Sequence, residues 1–129
     1  MTKSMRPKKI TIGHDIAFLY ICFAFYTDLK IPLEEMKVII LKHREWYDNP
    51  GGSEPIIAMD ETTKWFESLE GSQVNNELNK CIERIKKKLK TENLNSIISD
   101  LNDIAKSDGT VVKNEINWIE MITERLGLD

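Results

Sequence analysis

Residues 104–122 read IAKSDGTVVKNEINWIEMI, and residues 23–39 read FAFYTDLKIPLEEMKVI. Offset by 80 positions, the second stretch falls on the first. Asp28 lands on Asp108 and Glu35 on Glu115, and the acids of each pair are seven positions apart. The apolar register follows the same offset: Ile21 with Leu101, Ala24 with Ile104, Ile31 with Val111, Met36 with Ile116, Ile39 with Ile119. Each stretch is an apolar helix, an acidic turn, one β-branched residue and a helix with Glu near its start. One such match could be chance in a helical protein. Matched acids on a matched apolar register argue for two related helix–loop–helix units.

The physics of the unit is clearest in the second copy. Gly109 allows a backbone with positive φ, which closes one helix and turns the chain. Asp108 can accept hydrogen bonds from amides in the turn. Val111, like Ile31, is placed to plug the gap between the two helices. Glu115 suits the positive end of the following helix and can reach back to the loop amides. In the first copy Leu29 stands where the second has Gly109, so that turn should differ in geometry or accept strain.

Outward from these units the chain reads as helix throughout. The segment IAFLYICFAFY, within residues 15–26, is apolar on every side, as in a helix buried on most of its surface. Pro32, Glu34 and Glu35 start a second helix that runs to about Trp46. YDNPGGSEP, residues 47–55, is the clearest loop. A helix over about 55–70 is anchored by Ile57, Met59, Trp65, Phe66 and Leu69; Gly71 should end it and Ser72 cap the next. Over about 73–90, Val74, Leu78, Cys81, Ile82, Ile85 and Leu89 form one stripe. After Thr91, Leu94, Ile97, Ile98, Leu101, Ile104 and Ala105 recur at spacings of three and four. The last helix, about 112–126, carries Ile116, Ile119, Ile122 and Leu126, with Gly127 as its stop. The expectation is an all-α, compact helical domain of about six helices spanning 1–129. It divides into a loose tail at 1–9, a first unit at 10–47, middle helices at 48–93 and a second unit at 94–129.

Composition narrows the function classes. A charge of −3 from 21 acidic and 18 basic residues gives no strong nucleic-acid signal, since such a domain would be expected to be basic. The basic residues ahead of the apolar run imitate a signal peptide, but His14 and Asp15 interrupt it and no small-x-small site follows. The uncharged run from Ile16 to Thr27 is well short of the roughly 20 residues a bilayer requires, so no membrane span is expected. Cys22 and Cys81 form no CxxC pair and no disulfide framework, which points to a reduced, cytoplasmic setting.

The unit resembles the TerB-like family, small helical proteins associated with tellurite resistance. Its signature is an apolar helix with Ala, then Asp-Gly, an aliphatic residue two positions after the Gly, and Glu in the next helix. Residues 104–122 carry it in full and residues 23–39 carry it with Leu29 in place of Gly. The resemblance implies an all-helical fold, no known catalysis, and a metal- or stress-related role in which acidic clusters have been suggested as ion sites.

Asp28, Glu35, Asp108 and Glu115 are therefore the candidate ligands for a divalent cation, because hard cations take several carboxylate and carbonyl oxygens. The plainer account, which the sequence favours, has each Asp fixing its turn and each Glu capping its helix. An EF-hand is excluded: after Asp108, Thr110 and Val112 stand where ligands belong. His14 and His43 lack an HExxH or i, i+4 partner, so surface or capping roles are expected. Cys22 lies in the most apolar stretch, where a thiol is inert. Gly51-Gly52 lacks the Lys-Ser/Thr of a phosphate loop. Trp46, Trp65, Trp118 and Phe66 read as core or interface anchors. The run ERIKKKLK, residues 83–90, offers a basic face to an acidic partner or nucleic acid; a solvated helix with Glu83–Lys87 pairing explains it more simply. Function thus reads as a non-enzymatic, ion-responsive or protein-interaction module in bacterial stress, with a protein partner or homo-oligomer. The alternative is a helical adaptor acting through the 83–90 face.

Overall fold

The apolar run beginning at Ile16 becomes the middle of a 17-residue helix, α1 (Ile12–Asp28), in a computed structural model of the chain. The structure describes residues 5–28, 31–107, 109 and 111–128, with only the backbone of Asp28. Every residue from Gly13 to Ala24 is buried. An all-round apolar helix is stable only when covered on all sides. Five further helices do this: α2 (Leu33–Arg44), α3 (Ser53–Glu67), α4 (Gly71–Lys88), α5 (Thr91–Ala105) and α6 (Lys113–Arg125). All five pack against α1. Among the described residues there are six helices and no strand, as the sequence reading expects.

The covering helices follow the 3.6-residue period. On α4 the buried stripe is Val74, Leu78, Cys81, Ile82 and Ile85; on α5 it is Leu94, Ile97, Leu101, Ile104 and Ala105. Between α1 and α3, Trp65 is fully buried with its ring 4.4 Å from Phe18, and Phe66 meets Phe18 and Phe25 edge-on at 5.9 and 5.3 Å. These rings are core anchors, not a ligand cage.

Several local expectations are corrected. Gly71 opens α4 instead of closing α3: Glu70 precedes the helix, and its backbone N–H donates to Gln73 Oε1 at 2.9 Å. Ile57 and Ile116 are 55% and 45% exposed. The core-facing arcs of their helices run instead through Ala58, Met59, Thr62 and Trp65, and through Glu115, Ile119 and Ile122. Val111, expected as a plug, is also exposed. Residues 5–9 lie along α3 and α4: Met5 N–H donates to Ser68 Oγ at 3.0 Å, Arg6 Nε is 4.0 Å from Glu77, and Pro7 is buried. Gly127 has φ +75° and its N–H donates to the Glu124 carbonyl, so α6 stops where the sequence placed its end.

Candidate functional site

The two acidic turns join α1 to α2 and α5 to α6. Pro32 and Val112, 80 positions apart, both precede their helices in extended conformation. Glu35 and Glu115 consequently occupy the same place, the third residue of α2 and of α6. Both are buried, at 0% and 1% exposure. Glu115 Oε1 accepts the Val112 N–H at 3.0 Å, the reach-back cap expected from its position. Gly109 has φ +87°, as the turn requires, and its N–H donates to the Lys106 carbonyl at 2.9 Å. The side chain of Asp28, and all of Asp108 and Leu29, lie outside the described residues.

The start of α6 is held against the end of α1. Asn114 Nδ2 donates to the Thr27 carbonyl at 3.2 Å and to that of Tyr26 at 3.4 Å. Trp118 stacks on Tyr26 at 6.0 Å and 16°, and meets Phe23 edge-on at 6.0 Å. Thr27 turns its hydroxyl back to the Phe23 carbonyl at 2.7 Å. The C-terminal end of α1 thus sits beside the N-terminal end of α6, a proximity that only tertiary packing could reveal.

The histidines are interior, not surface, residues. The Thr11 N–H donates to His14 Nδ1 at 3.1 Å, so the proton lies on Nε2, which donates to Glu61 at 3.0 Å. His43 is 1% exposed, and its Nε2 donates to the Gly13 carbonyl at 3.1 Å. Burial foremost, with a smaller push from His14, outweighs the Gly13 hydrogen bond and brings its pKa down to about 4. It is therefore neutral at pH 7 and adds no cation to the end of α2. Gly13 permits this packing: a Cβ there would lie 2.0 Å from Tyr47 Oη.

Two further polar clusters escaped the sequence reading. Asp15, fully buried, takes three hydrogen bonds from Arg84 at 2.9–3.1 Å. Arg84 therefore leaves the basic face of 83–90 and turns inward. Asp100 accepts from Trp46 Nε1 at 3.0 Å and from the Tyr20 hydroxyl. Burial raises the pKa of both Tyr20 and Asp100. In each cluster the partners are far apart in sequence, and no local pattern links them. Cys22 and Cys81 are buried free thiols, with burial pushing both pKa values up, so they are chemically quiet. Among the described residues no group of three or more His, Cys, Asp or Glu side chains is placed to hold a metal.

No helix of the described residues is long and apolar enough to cross a membrane. No curated protein and no solved structure matches the chain. A family model described as tellurite resistance protein TerB matches residues 57–129, from α3 through the second acidic turn and α6. That match spans more than half the sequence, joins the all-helical fold and the Asp108–Glu115 turn, and shows that the chain belongs to the TerB family.

Proposed function

We propose that the chain acts without catalysis, as an ion-responsive and protein-interacting module of a bacterial, cytoplasmic stress response associated with tellurite resistance. The observation that carries this reading is the equivalent placement of Glu35 and Glu115. Each is buried at the third position of the helix that follows an acidic turn. Asp28 and Asp108 are the acids the sequence assigns to the same turns, so each turn brings two carboxylates into one short segment. A pseudo-twofold relation between the units has independent support. Tyr20 and Asp100, 80 residues apart, bond to each other, as equivalent positions on such an axis would. α1 packs on α6, and α2 on α5.

A divalent cation would draw on these four acids and on turn carbonyls. The described part of the second turn supplies one carboxylate, with one of its oxygens engaged by the Val112 N–H. Ca²⁺ takes six to eight oxygens, so Glu115 alone is far from sufficient and Asp108 is indispensable to the reading. Calorimetry with Ca²⁺, Mg²⁺, Mn²⁺ and Zn²⁺ tests it. Heat of binding in the parent, lost in Asp108→Asn, is the expected result. Absence of binding up to millimolar ion would reduce the acids to turn and cap residues.

A second reading rests on the groove between α4 and α6. A cavity of about 610 Å³ is floored by Ile82 and rimmed by Glu83, Lys86, Lys87 and Arg125. Lys86, Lys87 and Arg125 form no ion pair among the described residues, and the expected Glu83–Lys87 pair is absent there. Two helix C-termini account for part of this charge; an acidic peptide would complement the remainder. Titration with a Glu-rich peptide and with an oligonucleotide distinguishes the partners. Salt-sensitive binding of the peptide, abolished in Lys86→Glu/Lys87→Glu, is expected.

A further inference from the structure

A cavity of about 280 Å³ is lined by residues of α2 and α3. Ile40, Pro55, Ile56 and Met59 supply its apolar wall, and Arg44 stands in it as the charged group from α2. Among the described residues the Arg44 guanidinium has no hydrogen-bond or ion-pair partner; its Nε is shut off from solvent while the side chain as a whole is half-buried. Its five donors in a rigid fork suit a carboxylate or phosphate. The other charged group in the lining, Asp60, is bound to Lys64 at 3.0 Å. His43 is the neutral imidazole described above and supplies no competing charge.

From this geometry we infer that the α2–α3 cavity is a binding site for the free C-terminus of a polypeptide ending in an apolar residue. Arg44 takes the terminal carboxylate and the Ile40–Met59 wall takes the side chain. Charge selects the anion, since the cavity offers one uncompensated cation. Size selects a single residue: the volume lies at the lower end of small-molecule sites and is roughly twice a cavity that holds benzene. The rim continues outward onto Ile56, which is 55% exposed and can cover the residue before the last. A phosphate or a dicarboxylate would leave apolar wall unfilled or charge unpaired. The inference is independent of the acidic turns and of the α4–α6 groove.

Methyl NMR on the full chain tests it with a short peptide ending in leucine, the same peptide amidated at its C-terminus, and 4-methylpentanoate. Shifts confined to Ile40, Ile56 and Met59 are expected with the free-acid peptide. Amidation should weaken binding about tenfold or more, because a charge-assisted hydrogen bond is lost. Arg44→Gln should do the same. Ile56→Glu alters an exposed residue, so folding is spared, and its charge should abolish binding; Ile57→Glu, outside the cavity, should bind like the parent. Equal binding of acid and amide would overturn the site. So would no perturbation at millimolar peptide, or shifts located elsewhere. Binding of 4-methylpentanoate as tight as the peptide would overturn the assignment to a chain terminus.

Discussion

Among the described side chains of α1 and α2 the chain buries five polar residues, His14, Asp15, Thr27, Glu35 and His43; along α5 and α6 it buries one, Glu115. The two segments share an acidic turn, an apolar register and a buried Glu at the same helical position, yet they occupy different environments. α1 is the central helix and cannot turn any face to water. Its polar groups must therefore find partners inside the protein. α5 and α6 lie at the periphery, where polar residues simply face outward. The comparison teaches that two stretches of similar sequence pattern can lie in the hub and in the cover. Only the covering copy keeps the amphipathic pattern, and the family model matches that half of the chain, residues 57–129.

Breaking the interior partners of α1 should have the largest effect. Arg84→Met leaves Asp15 charged and fully buried without its cation. Because Arg84 remains 27% exposed, a loss of about 3 kcal/mol is expected, the low end for a severed buried pair. Arg125→Met, at the end of α6, should stay within about 0.5 kcal/mol of the parent. Urea denaturation measures both, and equal losses would erase the contrast between hub and cover.

The next effect is a pH dependence carried by His43. Its folded pKa of about 4 lies below the ordinary value of 6.5. The unfolded chain thus binds more protons between those values. His43 contributes its stability in full above about pH 6.5 and loses it as pH falls toward 4, by at most about 3 kcal/mol. Asp100, raised by burial, has the opposite slope as its carboxyl protonates. The His43 share is therefore read as the difference between the parent and His43→Gln, which should have the flatter acid limb in denaturation curves from pH 7 to 4.5. Parallel curves would contradict burial of a neutral imidazole.

Gly109→Ala sharpens the comparison of the turns. At φ +87° a Cβ meets nothing within 4 Å, so the cost is conformational alone, about 1 kcal/mol. A variant melting at or above the parent would contradict that turn geometry. The smallest effect is expected for Asn114→Ala, which removes the link from α6 to the Tyr26 and Thr27 carbonyls at an exposed site. About 0.5 kcal/mol is expected in the same denaturation assay; no change would mean that apolar contacts such as those of Trp118 with Tyr26 and Phe23 hold the two segments without this link.

Much of this fold was legible because helical periodicity is a local property. The stripes of α4 and α5 and the stops at Gly109 and Gly127 could be read from neighbours three or four residues apart. The misreadings have a common cause. Ile57 and Ile116 are apolar at helical spacing, but neighbouring helices cover other arcs of α3 and α6. By sequence alone Asp15 is only an interruption of a signal-peptide-like start, and Arg84 one cation in a basic run. Their pairing spans 69 residues and depends on how α1 lies against α4. Of the candidate ion ligands, the reach-back cap of Glu115 followed from its position after the turn, while its burial did not. The proximity of Asn114 to the end of α1 did not, because it arises from packing between the two units.

The central claim is that the acidic turns respond to a cation and do more than close helices. Thermal melting of the parent and of Asp108→Asn, with and without millimolar Ca²⁺, Mg²⁺, Mn²⁺ or Zn²⁺, tests it most directly. A ligand that binds only the folded chain raises its melting temperature with concentration. The account predicts that at least one ion raises the melting temperature of the parent and leaves Asp108→Asn unmoved. If no ion shifts the parent, while Asp108→Asn still melts lower in the absence of any metal, the acids are structural and the claim is contradicted.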